Sequence, residues 1–240
     1  MDYYNYNNNN NSNEIAASYS TESARKFMIR VYNWMTIGLA ITGVISFLFA
    51  YTPQTRNLIM TNPSILWIAI ILQLVVVIAM SAAVNKISAS TATIGFIIYS
   101  LLTGITLSTI FFVFKIETIA SAFFVCAGMY LAMSIFGYVT KRSLSGLGSF
   151  MMMGLFGLII ASIVNLFVAS STLYWMINYV GVLVFAGLTA FDTQKIKEMS
   201  YQVEGDEMSK KAAIFGSLTL YLDFINLFLF LLRIFGGSRD

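Results

Sequence analysis

Residues 212–232 read AAIFGSLTLYLDFINLFLFLL, a run of 21 residues carrying a single charge, Asp223, at its middle. A bilayer hydrocarbon core of about 30 Å is crossed by about 20 helical residues, so the run predicts a transmembrane helix. Its one acid is expected to face the interior of a bundle or a wet cavity. A carboxylate at the centre of such a helix costs roughly 2.5–3.5 kcal/mol on insertion scales. At about 100° per residue, Gly216, Thr219, Asp223, Asn226 and Arg233 fall within an arc of about 100° and form one polar stripe. The opposite face, with Leu218, Leu222, Ile225, Leu229 and Leu232, suits lipid or apolar neighbours. The stripe should therefore point inward, where the small Gly216 lets another helix come close.

The rest of the chain repeats this pattern. It has 240 residues, 58% hydrophobic and 10% charged, against about a quarter charged in ordinary soluble domains. A water-soluble globule is excluded. The apolar runs are continuous rather than alternating, which also sets aside a transmembrane β-barrel. Spans are expected near 31–51, 64–84, 91–114, 118–139, 147–169, 173–192 and 212–232. Pro53 and Pro63 fall in the first connection, where missing backbone donors do no harm. Trp34, Trp67, Trp175, Tyr51 and Tyr174 sit near span ends and suit the headgroup region. No internal repeat of the inverted-transporter kind is evident.

Residues 1–24, with the run Asn7 to Asn11, are polar and poor in aliphatic side chains, and are expected to form a flexible tail ahead of a transmembrane domain over 25–240. The tail lacks the pattern of a cleavable signal peptide, so the first span should remain as an anchor. Of the 14 Lys and Arg residues, one side of a seven-span topology receives Arg25, Lys26, Arg30, Lys86, Lys141, Arg142, Lys195, Lys197, Lys210 and Lys211. The other side receives Arg56, Lys115, Arg233 and Arg239. By the positive-inside rule the amino terminus and the loop 193–211 are expected in the cytoplasm. A re-entrant last segment would return the carboxyl terminus to that side.

The residue inventory limits the chemistry. Histidine is absent and Cys126 is the single cysteine, so His-containing triads, His-ligated metals or haem, disulfides and cysteine metal sites are excluded. The net charge of +3 is spread over helix ends, which argues against nucleic-acid binding. Asp223 is the leading functional candidate, weighed against an inert packed carboxyl. Asp192, three residues before Lys195, reads equally as an interfacial carboxylate or as a site residue. Arg233 reads as a snorkelling end residue. Gln73, Asn165 and Asn178 read as interhelical hydrogen bonds or pathway lining, and Met151, Met152 and Met153 as packing or lipid-facing residues.

Two stretches carry a resemblance. Residues 185–197, FAGLTAFDTQKIK, and 218–236, LTLYLDFINLFLFLLRIFG, resemble the paired carboxy-terminal motifs of the Bax inhibitor-1 family, and span count and spacing fit that family after the tail. The resemblance implies an all-α membrane protein: a seven-transmembrane-helix bundle, multi-pass in the bacterial cytoplasmic (inner) membrane, with the last helix central. It further implies a non-enzymatic, pH-sensitive calcium leak in which Asp192 and Asp223 form a hydrogen-bonded sensor, with calcium as the permeant ion and no cofactor. Some bacterial relatives latch such aspartates with an arginine near the end of the second helix; here Val84, Asn85 and Lys86 stand at that place and Gln73 at an acidic position within the helix. Either Lys86 serves as the latch or the closed state is held differently, Lys and Arg differing in geometry.

Two carboxylates at hydrogen-bonding distance are expected to share one proton and titrate as a coupled pair. Held without a full oxygen cage, a calcium ion at Asp192 and Asp223 would pass rather than be stored. One difficulty is depth, since Asp223 lies about 18 Å along a helix from Lys211 while Asp192 is close to its own lysines. The expected partners are the bilayer, calcium and protons. The principal alternative, again from the resemblance, is a regulator that binds and restrains a membrane-bound quality-control protease, with the tail as contact. An intramembrane hydrolase ranks last.

Overall fold

The computed structural model describes residues 2–203 and 205–236, with side chains described from Glu22 onward. Among the described residues every regular element is helical: α1 (Asp2–Tyr51), α2 (Pro53–Thr61), α3 (Ser64–Ala82), α4 (Ala89–Leu107), α5 (Ile110–Val113), α6 (Ile116–Val139), α7 (Ser145–Val168), α8 (Ser171–Ser200) and α9 (Asp206–Gly236). The flexible tail expected over 1–24 falls mostly outside the described side chains and remains an expectation.

Among the described residues, seven helical stretches are long and apolar enough to cross a membrane, one of them being α4 and α5 together over Ala89–Val113. In lipid no water satisfies free backbone groups, so each run closes its hydrogen bonds within itself. The breaks have local causes. Pro53 opens α2 at a position that needs no donor. The hydroxyls of Ser88 and Ser170 cap α4 and α8 by accepting from the backbone N–H groups of Thr91 (3.1 Å) and Leu173 (3.3 Å). Between α4 and α5, the hydroxyls of Thr106, Ser108 and Thr109 each donate to the carbonyl three residues back, and the helix stops there. Ala169 closes α7 in a left-handed conformation, φ 49°.

Helix α9 is the axis of the bundle, packed against α8, α1, α6 and α4. Both its faces are covered: Leu218, Leu220, Tyr221, Leu227 and Leu232 are as deeply buried as Asp223. The aliphatic face therefore meets protein rather than lipid. It runs unbroken for 31 residues, about 46 Å, so the last segment spans and does not turn back. Helices α3 and α7 lie at the periphery, α3 against α4 and α7 against α8. Their outer faces, such as Trp67, Ile78, Phe156 and Phe167, are bare.

Hydroxyls and one hydrogen-bonding ring tie the centre together. Ser217 donates to the Val31 carbonyl (2.8 Å) and Thr42 to the Ser100 carbonyl (2.9 Å), while the Thr42 and Tyr221 hydroxyls lie 2.6 Å apart. These bonds cross from α1 to α9 and α4, where each alternative partner would be a hydrocarbon tail.

Candidate functional site

Asp192 and Asp223 face each other across the α8–α9 contact, close enough for a side-chain hydrogen bond between the carboxyls. Asp223 is 5% exposed and Asp192 is half-buried. Asp223 Oδ2 is buried and has no hydrogen-bond partner among the described residues. Two ionised carboxylates can only accept, so a hydrogen bond between them requires a proton on one.

The difficulty of depth is removed by where the helices begin and end. Helix α8 runs eight residues past Asp192 to Ser200, and α9 starts at Asp206, ahead of its apolar run. The polar turn of Asp206, Glu207, Lys210 and Lys211 thus extends beyond the end of α8. An Asp206–Lys210 ion pair and an Arg30–Asp206 contact of 3.8 Å hold it. The antiparallel register sets Ile196 beside Gly216, Asp192 beside Asp223, and Phe185 on Phe230 with ring centroids 5.8 Å apart.

Neighbouring helices fix α8 at the same level. A Cβ on Gly137 of α6 would strike the Ala190 carbonyl, and one on Gly148 of α7 would strike the Phe191 ring. Gln194, two residues after Asp192, accepts from Leu144 N–H (2.7 Å) and donates to the Arg142 carbonyl (2.9 Å), clamping the α6–α7 connection. Lys197 donates to the Tyr138 carbonyl (2.8 Å) and lies 4.6 Å from that ring's centroid. Tyr130 of α6, packed on Phe224 and donating to the Leu220 carbonyl (3.3 Å), closes the site on the α6 side within electrostatic reach of both acids.

The remaining sequence candidates separate. Gly216 lies at the α8 contact, and Thr219 and Asn226 donate to the carbonyls four residues back on α9. Arg233 is exposed and stands 5.5 Å from the Phe230 centroid, so the polar stripe ends before it. Lys86 is exposed and borders a small cavity with Asp206, Glu207 and Lys211. Asp206 lies 17 residues before Asp223, about 25 Å along α9, so Lys86 does not reach the acid pair. Gln73 donates to Thr106 Oγ1 (3.1 Å), away from it. Gln194 and Tyr130 escaped the sequence reading. Gln194 stood inside the motif beside Asp192, but nothing in a linear pattern says which loop it reaches.

A family model described as "Inhibitor of apoptosis-promoting Bax1" matches residues 24–240. The chain belongs to the Bax inhibitor-1 family. Among its relatives in that family is the inner membrane protein YbhL of Escherichia coli, 50% identical over 215 residues, which cover 89% of this chain and 92% of that protein. Uncharacterized proteins of Borreliella burgdorferi and Deinococcus radiodurans are 44% and 42% identical, each covering at least 90% of this chain and 92% or more of the relative. This Bax inhibitor-1 chain is accordingly a multi-pass protein of the inner-membrane type, its Asp192 and Asp223 lying within the matched region.

Proposed function

We propose that the protein is a pH-sensitive cation leak, with calcium as the permeant ion and the Asp192–Asp223 pair as its gate. The observation that carries this reading is the buried Asp223 carboxyl beside that of Asp192, its Oδ2 without a hydrogen-bond partner among the described residues. In the closed state the two acids share one proton, which ties α8 to α9. When that proton leaves, two like charges about 4 Å apart repel by about 4 kcal/mol at an effective dielectric constant near 20. That is enough to shift an equilibrium by about a thousandfold.

The sign follows from the bound proton. The closed state holds it more tightly than the open state, so falling pH favours closure and rising pH favours conduction. Asn178 Oδ1 and Thr193 Oγ1 on α8 are also buried without partners among the described residues, which suits a path where a passing ion or water supplies them. Among the described residues no three metal-ligating His, Cys, Asp or Glu side chains gather. The acid pair therefore suits transient occupancy by a hard cation rather than storage. The amino terminus is taken as cytoplasmic from the basic bias of its side.

The test is calcium flux in proteoliposomes between about pH 6 and about pH 8. Wild type should conduct more as pH rises. Asp223→Asn and Asp192→Asn, in which an amide N–H replaces the shared proton, should each flatten that dependence. Absence of flux above empty liposomes at every pH would overturn the leak and favour restraint of a membrane-bound protease as the function.

A further inference from the structure

Helices α1 and α6 stand apart, and between them lies a groove of about 830 Å³ that opens sideways and is floored by Tyr130 and Phe224. Its volume is within the roughly 300–1,000 Å³ range of pockets that hold small organic ligands. The walls are almost wholly apolar, and rim residues such as Ile29, Leu131 and Ile135 are exposed where the bilayer would be. From Arg25 to Leu39 the groove follows 15 residues of α1, about 21 Å from the first Cα to the last. One leaflet's hydrocarbon is about 15 Å deep, so a groove of this length accepts one lipid tail from headgroup level to the midplane.

Polar features are confined to particular heights. Arg25 stands at the end of the groove where Tyr138 and Val139 finish α6, and makes no ion pair among the described residues. Ser134 lines the groove about one turn deeper, 4% exposed, its Oγ buried and, among the described residues, without a hydrogen-bond partner.

We propose that this groove binds one anionic phospholipid from the leaflet on the Arg25 side. Its phosphate lies at Arg25, an ester carbonyl accepts from Ser134, and an acyl chain runs along Tyr32 and Ala127 to Phe224. A cation without an ion-pair partner at headgroup level favours acidic over neutral lipid, and a hydroxyl without a partner in an apolar wall marks where the ligand's polar atom belongs. The site stands on the groove, Arg25 and Ser134, and does not require the leak.

The protein is reconstituted into vesicles of equal parts phosphatidylglycerol and phosphatidylethanolamine, extracted in mild detergent, and the lipid retained per chain is measured by mass spectrometry. Wild type should keep about one phosphatidylglycerol per chain in preference to phosphatidylethanolamine. Ala127→Phe and Thr36→Phe fill the groove from opposite walls and should each lower retention about fivefold or more, a change of about 1 kcal/mol in binding. Arg25→Gln, an exposed change that leaves packing alone, should weaken the preference for the acidic lipid. Equal retention in wild type and both filled variants would overturn the proposal. So would no preference for the acidic lipid in wild type, recovery of free fatty acid in its place, or a wild-type dimer that the filling substitutions dissociate.

Discussion

Replacing Gln194 by Ala removes a side chain that is 8% exposed and holds the α6–α7 connection through Leu144 N–H at 2.7 Å and the Arg142 carbonyl at 2.9 Å. Leu144 is itself buried, so its N–H would lose its partner where water has little access. A buried donor left unmet costs about 1–3 kcal/mol, and the truncated side chain adds a small cavity, so about 2–3 kcal/mol of destabilisation is expected. For a chain of this size each kcal/mol moves the midpoint by about 2–4 °C, which gives a fall of about 4–12 °C. The assay is thermal unfolding in one detergent at one scan rate, because membrane proteins commonly unfold irreversibly. Gln194→Glu is the partner experiment: it keeps an acceptor for Leu144 N–H but loses the donor to Arg142, so its midpoint should fall between wild type and Gln194→Ala. An unchanged midpoint in Gln194→Ala would refute the clamp.

Gly137→Ala puts a methyl group against the Ala190 carbonyl and should destabilise by about 1–3 kcal/mol or prevent assembly. Gly157→Ala, where nothing lies within 4 Å of the added Cβ, should leave the midpoint equal or slightly higher, Ala being the better helix former; thermal unfolding of the pair compares them. Glu207 accepts from Ala89 N–H at 2.7 Å and pins the start of α4 to the start of α9. Glu207→Ala should cost about 1 kcal/mol and speed protease cleavage in the 201–205 connection, measured by digestion of the reconstituted protein.

The spans were legible because lipid imposes one rule everywhere: about 20 apolar residues with internal hydrogen bonds. Asp223 was legible for the same reason, as the one charge the rule forbids. The meeting of Asp192 with Asp223 was expected from the family resemblance, and not from hydropathy. A hydropathy reading begins helix α9 at the first apolar residue, whereas the charged turn from Asp206 to Lys211 is part of the same helix and shifts its register against α8. Tyr130, Gln194 and the groove stayed hidden because they depend on how neighbouring helices are rotated and spaced. In a chain this apolar, lipid-facing and protein-facing sides differ too little for periodicity to tell them apart. Lys86 was placed by its distance from α3 in the chain, which says nothing about the 25 Å or so of α9 separating its cavity from the acids.

The axial position of α9 bears on how the protein is made. It is the last described helix to leave the ribosome, yet it is the one that α1, α4, α6 and α8 all pack against. The earlier helices must enter the bilayer around an unfilled centre, with Ser217's acceptor on Val31 and Tyr221's partner on Thr42 still waiting. Peripheral α3 and α7 suit that interval, being apolar on nearly every side and content in lipid. Assembly of the core is therefore a late, post-insertion event, and a chain cut short before α9 would be a membrane-inserted but uncentred set of helices, a natural target for the cell's quality control.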